Sequence, residues 1–178
     1  MLDRRPGAGT VLIADRPVSR YQPVAQTADD IAAFAADTRL VSPVTSEVKL
    51  TATMAKRLGT RAGTNWILMQ GVRARRSQVD TPLCWSEQYL RSDLPREKFM
   101  TGRFTTDEVA AHAIEQTISA ALLKEDLAEA LDAVAGSAAL VITRRHRDKR
   151  GRLDIIGIHT HPADRYSITT TVTATSGT

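Results

Sequence analysis

AGTNWILM, residues 62–69, is answered 73 positions later by AGSAALVI, residues 135–142. Leu58 falls on Leu131, Ala62-Gly63-Thr64 on Ala135-Gly136-Ser137, and Met69 on Ile142. The likeness extends in both directions. Upstream of the first copy, VTSEVKL (44–50) reads as a strand and TATMAKRLGT (51–60) as a short helix, with Thr51 as N-cap and Met54 and Leu58 turned inward. Downstream, the strand runs on to Arg75, RSQVDTP (76–82) makes a turn and LCWSEQYL (83–90) returns. In the second copy, IEQTISAALL (114–123) is the strand and KEDLAEALDAV (124–134) a helix carrying Leu127, Leu131 and Val134 inward. AGSAALVITRRHR (135–147), a DKRG turn and RLDIIGIHTH (152–161) form the second hairpin. A unit that cannot bury its sheet face alone, present twice, predicts two halves packed about a pseudo-two-fold axis.

The flanks add little to this frame. TADDIAAFAADTRL (27–40) has Ile31, Phe34, Ala35 and Thr38 at helical spacing behind Thr27 as N-cap. DRYSITTTVTA (164–174) alternates like a last strand, with Tyr166, Ile168, Thr170 and Val172 on one face. Residues 1–23 are basic and rich in Gly and Pro, and read as a turn, a short strand and an extended linker. About seven strands and three or four helices predict an α+β domain on an antiparallel sheet.

Bulk properties exclude several classes. At 178 residues the chain is long enough for one cored domain with a short extension. No apolar run is long enough to span a bilayer, and residues 1–10 lack the apolar core of a signal peptide. A single cysteine, Cys84, rules out an internal disulfide and fits a reducing cytoplasm. The net charge of +4 permits contact with nucleic acid without requiring it.

The order of motifs resembles a known family. LG-(x)3-G leading into a strand, a proline-containing hairpin ending in EQYL, ISAALLKEDLAEAL, GSAAL, DKRGR and HPADRYSITTTV follow one another as in the UTRA domain. That domain is the effector-binding half of HutC-type regulators in the GntR family. The resemblance covers roughly residues 24–174. LDRRPGAGTVLI (2–13) is similar to the tip and last strand of a winged helix-turn-helix wing, so residues 1–23 are read as wing remnant plus linker and 24–178 as the UTRA domain. The resemblance implies a chorismate lyase-like fold, a small-molecule cleft, homodimerisation and repression relieved by ligand. It also implies that operator DNA is met only through an N-terminal winged helix, the chain being either a piece of a longer regulator or a sensor standing alone.

Candidate site residues come from both sources. His159 and His161 are two apart on a strand and share a face. The pair could be half of a metal site, satisfied structural histidines or ligand contacts. No metal-spaced cluster completes it, since His112, His146 and Cys84 are the only other such donors of nitrogen or sulfur. Arg73 and Arg75 share a strand with Ile67, Met69 and Gly71, and a guanidinium on an apolar face needs a partner or an anion. The resemblance implies that His161 takes a place often held by a ligand-touching tyrosine in a run that ends at Tyr166. It further implies that Ile155 replaces a sugar-contacting glutamate, that Thr45 and Ser46 lie at the cleft mouth, and that Ser86 or Glu87 faces ligand. Alternation puts Ser86 with Cys84 and Gln88, and Glu87 with Trp85 and Tyr89, and leaves open which set lines the cleft. Asp164 and Arg165 are expected to hold the turn before the last strand. RRHRDKRGR (144–152) is expected to be a solvated turn, having no interleaved aromatics for base stacking.

The expectation is therefore a cytoplasmic, homodimeric, non-enzymatic sensor of a small, anionic organic effector, with no cofactor and no membrane partner. Two alternatives stand beside it: a small enzyme of the chorismate lyase-like fold, and a metal sensor built on His159 and His161.

Overall fold

The computed structural model describes residues 2–4, 10–12, 28–95 and 112–169. Two short strands, β1 (Leu2–Arg4) and β2 (Thr10–Leu12), pair antiparallel as a separate two-stranded sheet, Leu2 opposite Leu12. Helix α1 (Ala28–Asp37) follows, and its expected N-cap, Thr27, lies outside the described residues. The remaining elements are β3 (Thr38–Lys49), α2 (Ala52–Leu58), β4 (Asn65–Arg75), β5 (Gln78–Arg91), β6 (Ala113–Leu122), α3 (Glu125–Ala130), β7 (Ala138–Arg147) and β8 (Leu153–Pro162).

The six long strands form one antiparallel sheet in the order β3-β4-β5-β8-β7-β6. That order reads the same from either end once β3, β4 and β5 are exchanged for β6, β7 and β8. The repeat is thus visible in space: each half contributes three strands, and the halves join where β5 pairs with β8. Equivalent backbone bonds tie each helix–strand connection. Gly63 donates to Leu50 O at 2.8 Å and Leu50 to Thr64 O at 2.9 Å. In the other half, Gly136 donates to Leu123 O and Leu123 to Ser137 O at the same two distances. Both connections turn at a glycine with φ near +75°, a conformation L side chains resist.

One face of the sheet carries the aliphatic core. Leu58 and Ala55 of α2 bury against Trp66, Leu68, Tyr89, Ile156 and Ile158. Leu131, at the end of α3, buries with Leu123, Ala128 and Ala139. The α2 start is capped as its sequence predicts, Thr51 Oγ1 accepting from Met54 N, and Gly59 closes it at φ +72°.

Several local expectations need correction. Thr38 opens β3 rather than sitting on the helix; its hydroxyl donates to Phe34 O at 2.7 Å, closing α1. The turn between β4 and β5 is only Arg76-Ser77, because 78–82 already pair with irregular register. Helix α3 stops at Ala130, six residues long, and leaves Val134 74% exposed rather than inward. Of the last strand, Tyr166 makes a single bridge, 167–169 are irregular, and later residues lie outside the description. The basic run is not a solvated turn: residues 144–147 belong to β7, and only 148–151 turn. There Asp148 accepts from the backbone N–H of Arg150 and Arg152, an arrangement that fixes the hairpin tip. Among the described residues, no helix is long and apolar enough to cross a membrane.

Candidate functional site

The second face of the sheet differs in chemistry. Cross-strand partners share a face, so Gly71, Ser86, His159 and Ile142 form one row across four strands. Arg73 and Cys84 pair one step along, next to His161 and Leu140. Gln88, Gly157 and Arg144 occupy the row on the other side. Ser86 lies 73 positions before His159, so these two residues are equivalent by the repeat and also pair with each other. The pseudo-two-fold axis passes between them.

Burial here is nearly complete. Ser86 is 0% exposed, His161 2%, Arg144 5%, His159 7% and Arg73 8%. Yet Arg73 Nε, Ser86 Oγ, His159 Nδ1 and His161 Nδ1 have no hydrogen-bond partner. An unpaired buried polar atom costs on the order of 1–3 kcal/mol, and four of them meet on one face. Arg73 spends Nη1 on Thr38 Oγ1 at 2.8 Å and lies against the Phe34 ring, 5.9 Å from its centroid. Arg144 Nε bonds Gln116 Oε1 at 2.8 Å. His161 stacks on Tyr166, ring centroids 3.8 Å apart. The His159 ring folds back over Gly157, where an added Cβ would meet its Nε2 at 2.9 Å.

Electrostatics follow from this burial. Desolvation, reinforced by Arg144 and Arg73, holds His159 well below the ordinary imidazole range. His161 is pushed down to about 3 by burial and Arg144, against a backbone hydrogen bond at Leu83. Burial and Arg144 press His146 to about 4. The histidines are therefore neutral at pH 7, and the positive charge on this face is carried by arginine. Burial also raises the Cys84 thiol to about 12, so it is an inert wall of the site.

The candidate residues divide. Arg73, Ser86, His159, His161 and Tyr166 come together on the polar face. Thr45 shares that face by register with Met69 but is exposed on β3. Ser46, opposite Leu68, points to the other face, where it is exposed. Arg75 lies at the end of β4, beyond two register irregularities, half-buried. Glu87 faces the aliphatic core, where Arg57 grips both carboxylate oxygens at 3.0 and 2.7 Å and Tyr89 Oη donates at 2.8 Å. Asp164 is exposed, while Arg165 ties the turn to Pro82 O and Asp132 O, consistent with a structural part.

Arg144 is the residue that sequence reasoning passed over. The signal was there: the 73-residue offset sets it on Gly71, inside a strand. The neighbouring Arg145 bonds Leu58 O at 2.9 Å, joining β7 to the end of α2. A separate open groove of about 650 Å3 lies among Arg61, Trp66, Arg91 and Arg152, and none of the candidate residues lines it. Its Arg91 is paired with Asp93 and Asp154, and its Arg152 with Asp148.

Residues 105–167 match the family model of the UTRA domain. Over that stretch the chain is similar to the UTRA domain. The fold agrees with solved structures at low sequence identity. A protein described as a GntR-family transcriptional regulator superposes with TM-score 0.71 at 19% identity, over 98% of this chain and 76% of that one. PhnF from Mycobacterium smegmatis gives 0.64 at 18% identity, over 98% and 79%. The ligand-binding domain of a GntR-family regulator from Bordetella bronchiseptica gives 0.59 at 14% identity, over 76% and 88%. No curated protein matches the sequence. The chain thus has the chorismate lyase-like α+β fold that its sequence pattern implies.

Proposed function

We propose that this chain is the small-molecule-sensing UTRA domain of a GntR-type transcription regulator of the HutC kind, a cytoplasmic protein without catalytic activity. The observation that carries the reading is the set of four buried, unpartnered polar atoms around the pseudo-two-fold axis. A fold that hides a guanidinium edge, a hydroxyl and two imidazole nitrogens gains stability when a ligand pairs them. The effector is anionic, because Arg73 offers a buried cationic donor. It is bound by Arg73, Ser86, His159 and His161, with Tyr166 behind His161. Arg75 and Thr45 border the site, whereas the placement of Ser46 and Glu87 argues for structural parts.

The regulator acts as a homodimer whose repression is released by effector. Ile118 and Leu122 of β6, at the sheet edge, are exposed apolar side chains, which supports association of two copies. The paired β1 and β2 form a sheet of their own, which supports the reading of residues 1–23 as the remnant of a wing plus a linker. Effector acts on DNA only by binding one arrangement of the dimer more tightly than the other.

A metal-sensing role is disfavoured by charge. His159 and His161 stand beside Arg73 and Arg144, and no group of three metal-type donors occurs among the described residues. The test is a thermal-shift screen of small metabolites, followed by operator release from a regulator carrying this domain. Stabilisation by an organic anion, lost in R73Q, supports the reading. Stabilisation by zinc alone, or turnover of an aromatic acid, refutes it.

A further inference from the structure

Resting on the sensing role above, we propose that the effector is a small organic carboxylate carrying an O–H or N–H donor, its acid group on Arg73 and its donor on His161. The two anchors restrict the ligand in different ways. Thr38 already takes Nη1 of Arg73, the Phe34 ring lies against the guanidinium, and Nε is bare. Approach is therefore edge-on. A planar carboxylate fits an edge of two parallel N–H bonds.

His161 sets the second condition. Its ring is fixed by stacking on Tyr166, and one nitrogen is engaged at the backbone of Leu83. Nδ1 has no partner. In a neutral ring one nitrogen donates and the other accepts. With the donor spent on a backbone carbonyl, Nδ1 is left as an acceptor, and the ligand must bring the hydrogen. An acid with no O–H or N–H elsewhere in the molecule offers only acceptors and leaves Nδ1 unpaired.

The spacing suits a small molecule. Arg73 pairs with Cys84, and Trp85 pairs with Thr160, so His161 stands next to Cys84 two strands from Arg73. Two strand spacings put the Cα atoms roughly 10 Å apart. A ligand that joins the two therefore needs a gap of only a few bonds between its acid and its donor. Ser86 Oγ and His159 Nδ1 lie one row nearer the axis, beside that gap, and can meet the second carboxylate oxygen.

The test uses matched pairs of ligands on the unaltered chain, read by calorimetry and a thermal-shift screen. The pairs are 3- and 4-hydroxybenzoate with benzoate, indole-3-carboxylate with 1-naphthoate, and 3-hydroxybutyrate with butyrate, together with inorganic phosphate. At least one donor-bearing member should bind tenfold or more tightly than its partner. R73Q should weaken both members, and H161N should erase the difference within the pair. The ligand-side comparison needs no substitution and stands even if H161N does not fold. The proposal is overturned if phosphate or uncharged metabolites bind best, or if the donor makes no difference in any pair. In those cases the sensing role survives. If no small molecule of any class stabilises the chain, the sensing role fails as well.

Discussion

Glu87 is the sharpest case in which structure and family resemblance assign different work to one side chain. Replacing it with alanine removes three hydrogen bonds at once, two from Arg57 and one from Tyr89. The Arg57 side chain is 51% exposed, so its ion pair is screened and contributes well under 1 kcal/mol. Tyr89 is different. Its body is buried in the aliphatic core, and its hydroxyl donates to a charged acceptor, worth about 1.5–3 kcal/mol. E87A should therefore cost about 2–3 kcal/mol. For a chain of this size that lowers Tm by about 5–10 °C, readable by circular dichroism. Most of the loss should come through Tyr89, so Y89F should recover much of the same cost and E87A/Y89F should be far less than additive. Effector affinity should be unchanged. An E87A protein of normal Tm that no longer binds effector would refute this assignment and move Glu87 into the binding site.

Acid should weaken the fold through the buried histidines. His146 and His161 titrate near 4 and 3 when folded but near 6.5 when unfolded, so below pH 6.5 the unfolded chain binds more protons. Their contribution is fully present above that pH and is lost as pH falls towards 4, by up to about 1.4 kcal/mol per pH unit for each ring; urea midpoints measured from pH 7.5 to 4.5 should show the decline, and a flat profile contradicts it. Leu58→Ala and Leu131→Ala, equivalent by the repeat and both fully buried, should each cost about 2–5 kcal/mol in chemical denaturation, and a cost under 1 kcal/mol at either would mean that half's core is not packed as described. G157A should force the His159 ring off its seat and destabilise by about 1–3 kcal/mol, which G157A/H159A should largely relieve. Cys84 should resist thiol reagents at pH 8 until the protein unfolds; rapid labelling of the native chain would show that its strand opens locally.

Much of the frame was legible in the chain itself. The 73-residue repeat, the Thr51 cap, the glycines at the two connections and the paired leucines act over one or two turns of backbone, so neighbours in sequence suffice to specify them. Errors of extent also had local causes. Helix α3 ends early because Leu131 is drawn into the core at the cap, which turns Val134 outward. β3 begins at Thr38 because its hydroxyl is used to close α1.

The site was only half legible. Alternation put Ser86 and Glu87 on opposite faces of β5, yet nothing within the strand says which face meets α2 and which meets the two arginines. That choice was made by the core: Tyr89, on the same side as Glu87, is buried with Leu58 and Ala55 of α2, which commits Ser86 to the polar side. Arg144 was concealed in the same way, since in sequence it is one cation among several and only the pairing of β7 with β8 sets it beside Gly157 and His159. Local patterning along the chain specifies two like halves and the place where each turns. Tertiary structure alone decided that Ser86 and His159 meet on the axis between them, because register across β5 and β8 is a contact between distant segments and has no local code.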